Sequence, residues 1–182
     1  MIYYVTGNEN KIRAAKLYLS KFGLEIEGKS LNLVEEQTDS VEEVALNKAH
    51  QAFEILKKPL IVSDAGWYIK SLGGFPGLFM KYINEWFKAE DFIKLMQEQK
   101  DRSIILKESL CYIDKNGFKV FTQEIEGKVL ETAYDKGLPS DRVVSLSKTG
   151  LSIAEAREKG IESIDDQPVW EEFWNWYKKI KS

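Results

Sequence analysis

The run Leu60-Ile61-Val62-Ser63 constrains the fold of this chain more than any other feature. It is short and apolar, and it follows Lys57-Lys58-Pro59, which ends a helical pattern. A continuous apolar run of that length reads as a strand buried on both faces, and such strands sit in sheets covered by helices. The beginning of the chain agrees. Ile2-Tyr3-Tyr4-Val5 reads as a strand and Thr6-Gly7-Asn8-Glu9-Asn10 as a turn with capping residues. Lys11 to Phe22 then places Ile12, Ala15, Leu19 and Phe22 near helical spacing. The pattern predicts an α/β fold with a mixed central β-sheet flanked by helices.

The remaining punctuation fills in the order. Leu24 to Glu27 reads as an exposed strand, and Ser40 as the cap of a helix from Val41 to Leu56, with Glu42 and Glu43 suited to its first turn. The strand at Leu60 is expected to deliver Asp64 to its C-terminal end, before the loop Leu72-Gly73-Gly74-Phe75-Pro76-Gly77. Helical stretches follow through Trp86 and over Ala89 to Gln99. Ser103 to Tyr112 and Phe118 to Ile125 pattern as an antiparallel pair, because Asn116-Gly117 is a strong hairpin signal. Ile153 to Lys159 reads as a short helix. The last helix carries Trp170, Phe173, Trp174, Tyr177 and Ile180 as one stripe, with Trp176 off it. Without repeats or linkers, residues 1–182 read as one domain.

Composition removes several classes of function. A net charge of -3 argues against a duplex-binding module, which concentrates basic residues, so no nucleic-acid partner is expected. No apolar run approaches the roughly 20 residues that span a bilayer. The N-terminus lacks a basic leader, and the lone Cys111 fits a reducing compartment, so the expected location is cytoplasmic, with no membrane partner. The single histidine, His50, lies in a helical context and rules out a zinc site of several histidines.

Three segments carry chemistry. The turn Thr6 to Lys11 exposes backbone N–H groups where a helix begins, a natural seat for phosphate, with Thr6 and Asn8 as added donors and Lys11 as a point charge. Glu35-Glu36 offers the hard carboxylate oxygens that magnesium prefers. Asp64, beyond a buried strand, is placed where open α/β sheets hold ligands, and the glycines of the following loop allow close approach. Lys81 opens the next helix and is expected to reach back.

Taken in order, these segments resemble the house-cleaning inosine/xanthosine triphosphate pyrophosphatase family. Its signatures are T-G-N-x-x-K, E-E-T-x-x-x-x-E-x-A-x-x-K-A and D-S-G-x-x-x-x-x-L-x-G-x-P-G. This chain has Thr6-Gly7-Asn8-Glu9-Asn10-Lys11, then Glu35-Glu36-Gln37 through Glu43-Val44-Ala45-Leu46-Asn47-Lys48-Ala49, then Asp64-Ala65-Gly66 through Leu72-Gly73-Gly74-Phe75-Pro76-Gly77. The resemblance implies two lobes with an active-site cleft between them. It implies a nucleoside triphosphate substrate, split with Mg2+ into a monophosphate and pyrophosphate. Thr6, Asn8, Lys11, Gly66 and Lys81 are then substrate-binding residues, and Lys11, Lys48 and Asp64 carry catalysis. Glu36 and Asp64 are metal ligands, with Asp64 serving either as ligand or as the base that orients water. Family members are usually homodimers.

The second half departs from the pattern. The family's G-F-G-[WY]-D-P becomes Gly137-Leu138-Pro139-Ser140-Asp141-Arg142, and its E-K-x-x-x-S-H-R becomes Glu158-Lys159-Gly160-Ile161-Glu162-Ser163-Ile164-Asp165. Asp141, Lys159 and Ser163 survive as implied substrate contacts, while the histidine and arginine positions hold Ile164 and Asp165. If Asp165 or Asp166 faces the base, it accepts hydrogen bonds where arginine donates them, which turns preference toward bases offering donors, guanine being one; the other reading is that both cap the loop before Pro168. The family also usually has an acid before the aspartate, where this chain has Ser63. That change leaves a second reading open, a weakened nucleotide-binding or sensing protein of the same fold.

Overall fold

The computed structural model describes residues 1–36, 38–164 and 167–181. Its elements are β1 (Ile2–Val5), α1 (Glu9–Ser20), β2 (Ile26–Lys29), α2 (Val41–Leu56), β3 (Leu60–Ile69) and β4 (Pro76–Gly77). They continue with α3 (Met80–Trp86), α4 (Ala89–Leu95), β5 (Ser103–Asp114), β6 (Gly117–Val129), β7 (Val144–Ser145), α5 (Ile153–Glu158) and α6 (Pro168–Lys181). The sheet has the order β2-β1-β3-β5-β6-β7, with β4 paired to β3. It is mixed: β1 runs parallel to β2 and β3, whereas β3–β4 and β6–β7 are antiparallel. Among the described residues no helix is long and apolar enough to cross a membrane.

The chain divides into two compact units, one of Met1–Ala65, Glu108–Gln123 and Gln167–Ser182, the other of Gly66–Lys107 and Glu124–Asp166. In the first unit the period-two alternation of strands sorts the core into two layers. Ile2, Tyr4, Ile61, Leu110 and Tyr112 face Ala15 and Leu19 of α1 and Val169, Trp170 and Phe173 of α6. Val5, Leu60, Val62, Cys111 and Ile113 face the other way, onto α2. Ala45, Ala49 and Ala52 form the seam of α2, and small side chains at that spacing bring its backbone close to the sheet. Ser40 caps α2 by accepting from the Glu43 N–H at 3.2 Å.

The second unit is built around the later part of β3 and its partner β4. Positive φ at Gly73, Gly74 and Gly77 lets the chain double back so that Pro76 and Gly77 pair with Tyr68 and Trp67. Arg102 ties three carbonyls, donating to Val129, Met96 and Leu130 at 2.8, 2.9 and 2.7 Å.

Two expectations need correction. β3 continues to Ile69, so Asp64 lies within the strand and not at its end; pairing with the returning β4 supplies the strand with ladder partners past Gly66. Trp176 does not stand apart from the core. Its ring lies 5.3 Å from Tyr112 and 5.6 Å from Phe121, because the long indole bridges back to the sheet from beside the main stripe. Boundaries moved by a few residues elsewhere: α1 begins at Glu9, β2 at Ile26, and α4 stops at Leu95.

Candidate active site

Alternation along β3 decides which helix each polar residue meets. Ser63 shares a face with Ile61 and turns toward α1; Asp64 shares a face with Val62 and turns toward α2. Asp64 therefore meets Lys48, which rises from α2 and forms an ion pair with it, while the same ammonium reaches Glu35 at 2.7 Å. The other Asp64 oxygen accepts from the Ala65 N–H at 2.8 Å. Burial would lower the Lys48 pKa, but the Asp64 charge and the hydrogen bonds to Asp64 and Glu35 together outweigh it and hold the pKa above its ordinary value. Lys48 is thus a fixed cation joining two carboxylates.

On the other face, Ser63 Oγ lies 2.6 Å from the Tyr4 hydroxyl and accepts from Lys11 Nζ at 3.3 Å. Lys11 is placed by the cap of α1. Asn8 Oδ1 accepts from the Asn10 and Lys11 N–H groups at 3.0 and 3.2 Å, and Thr6 Oγ1 accepts from the Asn8 N–H at 3.1 Å. The turn thus differs from a bare phosphate seat, since its side-chain oxygens already occupy three of its amides. Among the described residues, neither the Thr6 hydroxyl proton nor the Asn8 NH2 group meets an acceptor, so both can donate to a ligand. A cavity of about 160 Å3 is lined by Thr6, Gly7, Glu35, Lys48 and Ser63.

The first unit thus gathers Thr6, Lys48, Ser63 and Glu35 around one cavity, with Asp64 and Lys11 each one contact away. Glu36 points elsewhere and accepts from Asn47 Nδ2 at 2.6 Å. Lys48 pairs with Glu35, the neighbour of the Glu36 that the motif alignment implies as a metal ligand. A signal for this was present: Leu31, Leu33 and Glu35 all line the cavity, a period-two pattern in an extended segment. Tyr4, a core aromatic by pattern, is a residue that sequence reasoning passed over.

The remaining candidates belong to the second unit. Gly66 leaves room for Tyr68, whose hydroxyl a Cβ at that position would meet at 2.7 Å and whose ring it would meet at 2.8 Å. Lys81, on α3, lies 5.7 Å from the Tyr82 ring. Asp141 is buried and accepts from Arg157 at 3.0 Å; burial pushes its carboxyl up, and the guanidinium only partly offsets this. Lys159 pairs with Glu155 at 2.7 Å. Ser163 is half-buried and precedes the bridge between Leu146 and Ile164. Asp165 and Asp166, on which the base-preference hypothesis turned, lie outside the described residues. His50 is exposed against Phe118, and Cys111 is buried with its thiol pushed up to about 12 by desolvation, so neither sits among these groups.

Residues 2–165 match the model of the Ham1 family. The chain belongs to that family. It is 31% identical over 180 residues to the dITP/XTP pyrophosphatase of Methanopyrus kandleri, covering 97% of this chain and 96% of that protein. Against the dITP/XTP pyrophosphatase of Hyperthermus butylicus it is 30% identical over 156 residues, or 85% and 82% of the two chains. The fold matches the Staphylococcus aureus Ham1 protein with a TM-score of 0.75 at 18% identity, over the whole of both chains. A HAM1 protein from Coxiella burnetii matches with a TM-score of 0.77 at 18% identity, over 98% of this chain and all of that one. Membership thus rests on the sequence matches, and the solved structures share the fold.

Proposed function

We propose that this Ham1-family chain is a hydrolase that splits non-canonical purine nucleoside triphosphates into the monophosphate and pyrophosphate, with Mg2+ as cofactor. The observation that carries the reading is Lys48 shared by Asp64 and Glu35 beside the Thr6–Gly7 turn. Relatives that cover nearly the whole chain are named dITP/XTP pyrophosphatases, which supports the substrate class.

The donor set fits a hard divalent cation. Two carboxylates already share one cation, the Lys48 ammonium, and both offer the oxygen ligands that magnesium prefers. Glu35 and Asp64 are the residues we assign to hold it, in place of Glu36. When bound, magnesium neutralises phosphate charge that otherwise repels an incoming water. The protein's own residues do the rest. Thr6 and Asn8 donate to phosphate oxygens, and Lys11 and Lys48 supply positive charge along the polyphosphate. Asp64 orients a water toward the α-phosphorus and can take its proton. Lys81, Gly66, Asp141, Lys159 and Ser163 are proposed as further substrate-binding residues.

Pyrophosphate release from inosine, xanthosine, guanosine and adenosine triphosphates with magnesium tests the reading. Asp64→Asn is expected to lower turnover by about 100-fold or more, the scale of a lost general base. Nucleotide binding without release from any of the four would favour a sensor, the reading that Ser63 keeps alive.

A further inference from the structure

The two site lysines of the first unit, Lys48 and Lys11, are held in opposite ways. Lys48 is paired with two carboxylates. Lys11, among the described residues, donates only to a neutral hydroxyl, that of Ser63. An ammonium held through a neutral acceptor keeps its full charge for an incoming anion, whereas one paired with carboxylates must first exchange partners.

The hydroxyl that holds Lys11 is itself fixed. Ser63 is 7% exposed, and its Oγ lies 2.6 Å from the hydroxyl of Tyr4, which is 1% exposed. The Tyr4 ring packs edge-on against Trp170 at 5.5 Å, inside the layer between the sheet and α6. Burial, with the charges of Glu108 and Asp64, pushes the Tyr4 hydroxyl far above its ordinary pKa, so it stays a neutral O–H. A buried phenol needs a partner, and Ser63 is the one it has among the described residues. Lys11 donates and does not accept, so the Ser63 oxygen turns one lone pair toward Lys11 and its remaining capacity toward Tyr4.

We infer that Tyr4 and Ser63 are positioning residues that hold Lys11 as an uncompensated anchor for the polyphosphate end of the substrate. This rests on the triphosphate reading of the site. A serine at position 63, where the related pattern has an acid, then gives up a carboxylate and frees a charge.

The probe is inorganic tripolyphosphate without metal, measured by calorimetry on the full chain. Ser63→Ala is expected to weaken binding by about 3–10-fold, the scale of one ordinary hydrogen bond. Ser63→Thr keeps the hydroxyl and should stay within about twofold. Ser63→Asp should weaken binding further, because the new carboxylate pairs with Lys11. The deciding comparison is a cycle with Lys11→Met, in whose background Ser63→Ala should change affinity by less than about twofold. Should Ser63→Ala strand the Tyr4 hydroxyl and unfold the chain, Tyr4→Phe with Ser63→Ala removes both partners and gives the same reading. An equal loss in the Lys11→Met background, or no loss in the parent, overturns the inference. Turnover is assayed separately. Retained pyrophosphate release with uncoupled binding sinks the inference alone, whereas coupled binding with no turnover sinks the hydrolase reading alone.

Discussion

Replacing Lys48 with methionine isolates the contact on which the site is built. The Lys48 side chain is 14% exposed and Asp64 18%, so the change leaves a largely buried carboxylate without its cation. Breaking one side of a fully buried pair costs about 3–5 kcal/mol. Here the cost is smaller, because Asp64 keeps the Ala65 N–H and some contact with water. Glu35, at 57% exposed, adds little. The expected destabilisation is therefore about 1–3 kcal/mol, or roughly 3–10 °C in Tm for a chain of this size. Magnesium supplies the missing cation, so it should raise the Tm of Lys48→Met more than that of the parent, where it must displace an ammonium. In the parent, the stabilisation from Lys48 is full through neutral pH and fades only as pH rises through its raised pKa, above the ordinary 10.5. Differential scanning fluorimetry with and without magnesium reads both effects. A variant as stable as the parent, or one that gains less from magnesium, refutes the shared-cation argument.

Three further outcomes follow from the packing. Cys111 is fully buried with its thiol at about 12, so a thiol reagent at pH 8 should label it only after denaturation, and fast labelling of the native chain contradicts its burial. Its raised pKa also means that the unfolded chain loses the proton first, so stability should fall as pH rises from 9 toward 12. Gly127→Ala places a Cβ 2.5 Å from the Ser145 carbonyl and 2.6 Å from Leu146, across the β6–β7 pairing, and should cost about 1–3 kcal/mol in urea unfolding. Less than about 0.5 kcal/mol would mean that the two strands separate there at little cost.

Local rules made much of this fold readable. Ile2–Val5 as a strand and Val41–Leu56 as a helix were expected at the boundaries observed, because β-branched residues, a serine cap and a lysine-proline stop act over a few residues. Pairing between distant segments was not readable. Nothing near Asp64 says that Pro76 and Gly77 return to pair with Tyr68 and Trp67, and that return keeps β3 going past the aspartate. Motif spacing brought Thr6, Asn8, Lys11, Lys48 and Asp64 forward as candidates, but the choice between Glu35 and Glu36 depended on which side of an extended segment faces Lys48. Tyr4 stayed hidden because a phenol on a core face looks like packing until its hydroxyl is traced to Ser63.

In the proposed reaction, Asp64 directs water to the α-phosphorus of a nucleoside triphosphate. Hydrolysis in heavy-oxygen water, followed by phosphorus NMR or mass spectrometry of the products, tests it directly. The expected result is label in the nucleoside monophosphate, unlabelled pyrophosphate, and loss of the reaction in Asp64→Asn. Label in pyrophosphate, or a diphosphate product with labelled inorganic phosphate, would contradict it.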